Sequence, residues 1–224
     1  MTMGLSYSDA IELVMMVISL SVFVIKPSSG ILRFYPLYFF LDFLQGIYMT
    51  YTSHRGIHNT GVENAYLIAV SSFLFLVIRG FIVNVQMRRI ILVATLILAL
   101  FEAINLIFIQ KTVGFNPINF TIQSLFTVIC CIYYFFELFH RTEAPSLSRL
   151  PSFWITTAIL FNTVLSFPMW ALIAFMQEGT IHNYASWELI FDNIAAIFNI
   201  ITTITYVLYS IGFLCRIRTS KSIL

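Results

Sequence analysis

The chain has 224 residues, of which 59% are hydrophobic and only 10% charged, with a formal net charge of +2. A soluble domain usually carries about 25% charged residues, and a chain of this length exposes too much surface to be covered by so few. The composition therefore excludes an ordinary water-soluble domain, and the small net charge gives no reason to expect a nucleic-acid partner.

A helix needs roughly 20 mostly apolar residues to cross a bilayer. Seven stretches meet that need, at 9–25, 32–52, 64–86, 90–110, 116–139, 151–176 and 189–215. The expectation is an all-α fold, a seven-transmembrane-helix bundle forming a single domain over 1–224. The first stretch is short and opens with Asp9 and Glu12. It has no basic leader and no small-residue cleavage site before Lys26, so it reads as a retained helix rather than a signal peptide. The fifth, sixth and seventh stretches are the clearest, because 112–136, 150–177 and 193–215 contain no Asp, Glu, Lys or Arg. No stretch alternates with a period of two, which argues against membrane strands.

Turn formers collect between the stretches, at Lys26 to Gly30, His54 to Gly61, Gly114 to Pro117, Ala144 to Pro151 and Gln177 to Ser186. All these connections are short and leave no room for a soluble catalytic domain. Basic residues set the orientation. With the N-terminus outside, the cytoplasmic segments carry Lys26, Arg33, Arg88, Arg89, Arg141, Arg149, Arg216, Arg218 and Lys221, against Arg55 and Lys111 outside. Tyr48, Tyr51, Trp170, Tyr184 and Trp187 fall at or near the outer ends, where an aromatic belt belongs. A bacterial inner membrane and a eukaryotic plasma membrane both satisfy this rule.

Residues of the second half carry a resemblance. They are Phe115-Asn116 with Gln123-Ser124-Leu125 and Tyr133-Tyr134-Phe135, then Pro151-Ser152-Phe153-Trp154-Ile155 running on to Ala158-Ile159-Leu160-Phe161. Asn193, Asn199-Ile200-Ile201 and Tyr209-Ser210-Ile211-Gly212-Phe213 complete the set. With these the chain resembles a family of seven-helix integral membrane proteins from Bacteroidota to which no function is assigned. The Pro-x-Phe-Trp-Ile element is the most specific part, and Tyr38 to Asn59 fits more loosely. The resemblance implies a seven-helix bundle in a bacterial inner membrane and supplies no activity.

Function must then be sought in polar residues inside the spans. A charge at a helix centre costs about 2.5–3.5 kcal/mol on the insertion scale, so such residues mark candidate sites. Three stand out: Asp42 in the second span, Arg79 in the third and Glu102 in the fourth. At 1.5 Å per residue Asp42 lies roughly 15 Å from either end of its span. An Asp42–Arg79 pair across the short second connection would neutralise both; alternatively Arg79 extends to the inner headgroups. Glu102 has no evident basic partner, which leaves a hydrogen-bonded structural role beside a proton-linked or ligand role. In the seventh span Asp192, Asn199 and Tyr206 recur every seven residues, with Thr203 and Ser210 four residues after Asn199 and Tyr206. Such a stripe either holds helices together or lines a cavity shared with Asn105, Gln123 and Asn162. Pro168 in the sixth span would remove a backbone hydrogen bond and is a candidate kink.

Other chemistries find little support. His54, His58 and His182 belong to outer connections and offer only a weak metal site. The three cysteines, Cys130, Cys131 and Cys215, have neither disulfide nor metal spacing. Every lysine lies outside the spans, which excludes a retinal Schiff base. No histidine lies at depth for haem or a serine-type membrane protease, and His-Glu-x-x-His is absent. The expectation is therefore a non-enzyme without cofactor, whose surroundings are the lipid bilayer and possible membrane or cytoplasmic protein partners. A sensor, signalling or accessory protein that binds a small apolar ligand ranks first. A small ion or metabolite transporter and a structural subunit of a membrane complex are the alternatives.

Overall fold

The computed structural model describes residues 7–24, 30–57, 59–109, 116–140, 147–177 and 184–221, with side chains for 10–23, 30–57, 59–109, 116–140, 147–174 and 193–215. The described chain is helical, without a strand among the described residues. Its elements are α1 (Tyr7–Ser19), α2 (Ser21–Val24), α3 (Tyr35–His54), α4 (Thr60–Phe81), α5 (Val85–Ile104), α6 (Pro117–Phe139), α7 (Pro151–Gln177) and α8 (Tyr184–Lys221). Short 3₁₀ turns at Gly30–Phe34 and Leu147–Arg149 lead into α3 and α7, and α5 ends in a π turn, Asn105–Ile109.

Among the described residues five helical segments are long and apolar enough to cross a membrane: Thr60–Phe81, Val85–Ile109, Pro117–Phe139, Pro151–Ala174 and Asn193–Cys215. The segment Ala10–Phe23 is apolar but shorter. The solvent these helices suit is visible in α6. Its inward face buries Asn119, Gln123, Thr127 and Tyr134, while Leu125, Ile129, Ile132 and Phe136 are exposed. Both faces follow helical spacing, yet the polar stripe points in and the apolar stripe out, the reverse of a water-soluble helix. On α5, Leu96, Ile97 and Leu100 are each more than 60% exposed. In water such a surface would aggregate; among acyl chains it costs nothing. The chain is thus built as an integral membrane protein is.

Helix ends follow local chemistry. Pro36 and Pro117, in the first turns of α3 and α6, give up amides that have no intrahelical partner. Gly56, at φ 64°, ends α3, and the Ile57 amide returns to the Thr52 carbonyl at 3.0 Å. The sequence places the boundary between the third and fourth spans at 86–90, but the turn is Ile82–Asn84. Asn84 caps α5 by accepting from the Gln86 and Met87 amides at 2.9 and 3.2 Å. Glu137 of α6 accepts from the Val83 and Asn84 amides of the same turn, the latter at 2.8 Å. The basic pair Arg88–Arg89, which reads as a connection, therefore lies in the first turns of a helix that was free to start earlier. Pro168 lies inside an α7 that is helical from Pro151 to Gln177.

Helix α1 packs on α3 and α8, α8 on α7, α7 on α6, and α6 on α4, which also holds α5. The tightest joint is α7 on α8. A Cβ on Gly212 would stand 3.0 Å from Ile155 Cγ1 and 3.3 Å from the Pro151 carbonyl, so a larger residue there would push the neighbouring helix back by a few tenths of an ångström. The core centres on Tyr35, wholly buried against Phe73, Tyr209 and Phe213 with ring centroids 5.4–5.7 Å away. Helices α3 and α4 meet differently: side chains bridge them, including the stacked rings of Tyr38 and Phe73 at 5.2 Å.

Candidate functional site

The polar residues singled out in the sequence separate into two sites. The first forms around Asp42, midway along α3. Its Oδ1 accepts from the Tyr66 hydroxyl of α4 at 2.5 Å, and its Oδ2 from the Tyr206 hydroxyl of α8 at 2.9 Å. One carboxylate thus joins three helices through two phenols. A hydrogen bond donated to an ionised carboxylate is stronger than one between neutral groups. Among the described residues Asp42 has no cationic partner. Arg79 stands in the last turn of α4 and folds over the Ile82–Asn84 turn, where its Nε donates to the Arg88 carbonyl at 2.9 Å. Asp42 and Arg79 therefore form no pair. Tyr66 meets the carboxylate first, and Arg79 is occupied at the helix end, where a cation also suits the helix dipole.

Each of the two tyrosines also lines an apolar groove. Tyr66 faces a groove of about 430 Å³ between α3 and α4, with Tyr38, Leu41, Val70 and Phe73 among its walls. Tyr206 faces one of about 360 Å³ between α1 and α8, with Val14, Met15, Thr203 and Ser210 among its walls. The Asp42 carboxylate thus binds a wall residue of each groove.

The second site lies where α4 begins, α5 ends and α6 begins. Glu102, on the last turn of α5, is 1% exposed, and its Oε2 accepts from Gln123 Nε2 at 2.9 Å. Asn105 Nδ2 donates to Asn119 Oδ1 at 2.7 Å and to Asn116 Oδ1 at 3.3 Å. Asn119 Nδ2 donates to the Glu102 carbonyl at 3.1 Å. Asn116 Oδ1 also caps α6 through the Asn119 amide at 3.0 Å, and its own amide donates to Asn64 Oδ1 at 3.2 Å. All six side chains are buried. The cluster coincides with the π turn, a distortion often found at functional positions.

Glu102, Asn105 and Gln123 are thus brought together, as are Asp42 and Tyr206. Asn162 is half-buried on α7, where its carbonyl accepts from the Ser166 hydroxyl, and it joins neither cluster. Asn199 is exposed, with its carbonyl taken by Thr203 at 2.6 Å. Part of the stripe on α8 lines a groove, though not one shared with Asn105, Gln123 and Asn162: Thr203, Tyr206 and Ser210 face α1, with Ser210 bonded to Met15 Sδ at 3.1 Å, while Asn199 faces out. The Asp192 side chain lies outside the described residues, as do His58 and His182. His54 is exposed at the end of α3, and no cluster of three His, Cys, Asp or Glu able to hold a metal occurs among the described residues.

Sequence reasoning missed Tyr66, Asn64, Asn116, Asn119 and Glu137. Asn116 and Asn119 were legible as capping spacing before a helix. Tyr66 carried no signal, since a tyrosine near a helix end reads as belt. Known protein families, curated proteins and solved structures were compared with the chain, and none matches it.

The buried network predicts a contrast between two asparagines. Asn119→Leu strips a partner from both Asn105 and the Glu102 carbonyl and should destabilise the protein by about 1–3 kcal/mol, the cost of leaving buried polar groups unpaired. Asn199→Leu should stay within about 0.5 kcal/mol, as exposed positions do. Unfolding of detergent-purified protein measures both, and equal effects would refute the assignment.

Proposed function

We propose that the chain is a seven-span membrane sensor or accessory protein, with its N-terminus outside and its basic C-terminus in the cytoplasm of a bacterial cell. It binds a small apolar or amphipathic ligand in the groove between α3 and α4 and transmits occupancy to α8. The observation that carries this reading is the bonding of Asp42 to Tyr66 and Tyr206 at 2.5 and 2.9 Å. A ligand in the groove touches Tyr66 directly. Any shift of Tyr66 changes what Asp42 offers Tyr206, and Tyr206 sits on the helix that ends in Arg216 and Arg218. A buried carboxylate with exchangeable phenol partners gives the two-state element that a sensor requires.

Seven spans are supported by adding α3 and the α1–α2 unit to the five apolar segments. At 1.5 Å per residue the 20 residues of α3 reach about 30 Å, the hydrocarbon thickness, and the α1–α2 unit packs against α3. The distribution of basic residues supports the orientation, and the resemblance to seven-helix proteins of Bacteroidota supports an inner-membrane location. A small ion transporter is the second reading, and the buried Glu102 favours it.

Two experiments test this reading. Fused after Leu224 in bacterial cells, a fluorescent reporter should be active and a periplasmic phosphatase inactive; the opposite result refutes the orientation. A photoreactive fatty-acid analogue should label α3 or α4 competably in the native protein, and Val70→Trp, which fills the groove, should reduce labelling at least tenfold. Labelling that is absent, or that Val70→Trp leaves unchanged in folded protein, would overturn the groove.

A further inference from the structure

Glu102 presents an imbalance that the sensor reading does not use. Its Oε2 is held by Gln123, but its Oε1 is wholly buried and has no hydrogen-bond partner among the described residues. Asn116, 2% exposed, likewise leaves its Nδ2 without one. Leaving a buried polar atom unpaired is unfavourable, and leaving an unbalanced carboxylate inside a membrane bundle is more so. No arginine, lysine or histidine among the described residues bonds to Glu102. Among the described residues nothing balances a negative charge at Glu102, and a cation entering the cluster would meet an unmatched acceptor there.

The donor set restricts what that can be. Gln123 bonds the Glu102 carboxylate, Asn119 bonds the Glu102 backbone carbonyl, and Asn105 links Asn119 to Asn116, so the side chains joined to Glu102 are carboxamides. Among the described residues no thiol or imidazole joins the cluster, and oxygen ligands suit hard cations. One carboxylate contributes a single negative charge, which matches a monovalent ion; a divalent ion would leave an uncompensated positive charge in the membrane. Carboxamides suit such a role because a half-turn of the terminal torsion exchanges an N–H donor for an oxygen acceptor without moving the backbone. The Asn105–Asn116–Asn119 relay could then turn oxygens toward an ion and reform its remaining bonds.

We infer that Glu102, together with the carboxamides of Asn105, Asn116, Asn119 and Gln123, forms a binding site for a monovalent metal cation of the sodium or potassium kind. The site lies at the α4–α5–α6 end and stands independently of the Asp42 groove.

Purified protein in detergent tests this directly. Thermal midpoints are compared in sodium, potassium and choline chloride at matched ionic strength and fixed pH, and radioactive sodium binding is measured by equilibrium dialysis. The native protein should show a saturable rise of the midpoint in sodium or potassium over choline. Glu102→Gln, which keeps the shape and can still accept from Gln123, should fold and lose at least tenfold in cation affinity. Equal midpoints in all three salts would overturn the site, as would a cation response that survives in Glu102→Gln. If Glu102→Gln does not fold, dialysis on the native protein decides: stoichiometric saturable uptake of sodium, or of potassium as its competitor, supports the site, and no uptake of either refutes it. A midpoint that moves with pH but with neither cation also refutes it, because a proton then balances the carboxylate.

Discussion

Asp42 occupies the middle of α3 only because two phenol hydroxyls take its two oxygens. In an apolar solvent every polar group must find its partner within the protein, and a carboxylate without an arginine has few options. Tyrosine is well suited: a long reach, a strong donor, and a ring that packs among aromatic neighbours. The same rings that satisfy Asp42 form walls of the two flanking grooves. Ring contacts around Tyr35 hold α3, α4 and α8 at the spacing this carboxylate needs. Elsewhere α7 and α8 approach through Gly212, but α3 and α4 do not close, and their side chains span a gap that remains as a groove.

The second polar centre meets the same demand with carboxamides in place of phenols. Asparagine supplies both donor and acceptor, so a chain of asparagines can satisfy helix ends and one another. Asn116 serves as cap, acceptor and donor-bearing residue together. The π turn at Asn105–Ile109 accompanies the change, with Asn119 bonded to the carbonyl of Glu102. Helices meet here through hydrogen bonds, because apolar contacts alone distinguish poorly between a neighbouring helix and lipid.

Much of the architecture was legible because bilayer crossing imposes length and composition on each helix. The helices α6 and α7 begin and end within a residue or so of their sequence-based limits. The boundary before α5 was displaced because a capping asparagine, Asn84, and a distant carboxylate, Glu137, outweighed the usual meaning of a basic pair. The site was half legible. Buried charge is conspicuous in an apolar sequence, so Asp42 and Glu102 announce themselves. Their partners do not: pairing depends on which face of each helix turns inward. Charge complementarity pointed to Arg79, but its guanidinium finds a backbone carbonyl one turn away on α5, while two tyrosines with no charge lie within reach of the carboxylate. Asn199 misled for a related reason, since a heptad spacing fixes a face without saying what that face meets.

The central claim is that Tyr66 on α4 and Tyr206 on α8 are energetically joined through Asp42. A double-mutant cycle tests it most directly, with Tyr66→Phe, Tyr206→Phe and the double variant unfolded in the same detergent, then repeated in an Asp42→Leu background. Residues sharing one network couple by about 0.5–3 kcal/mol. The account predicts coupling in that range, and its loss once Asp42 is replaced. Effects that simply add in the native background, or coupling that persists without the carboxylate, would contradict it.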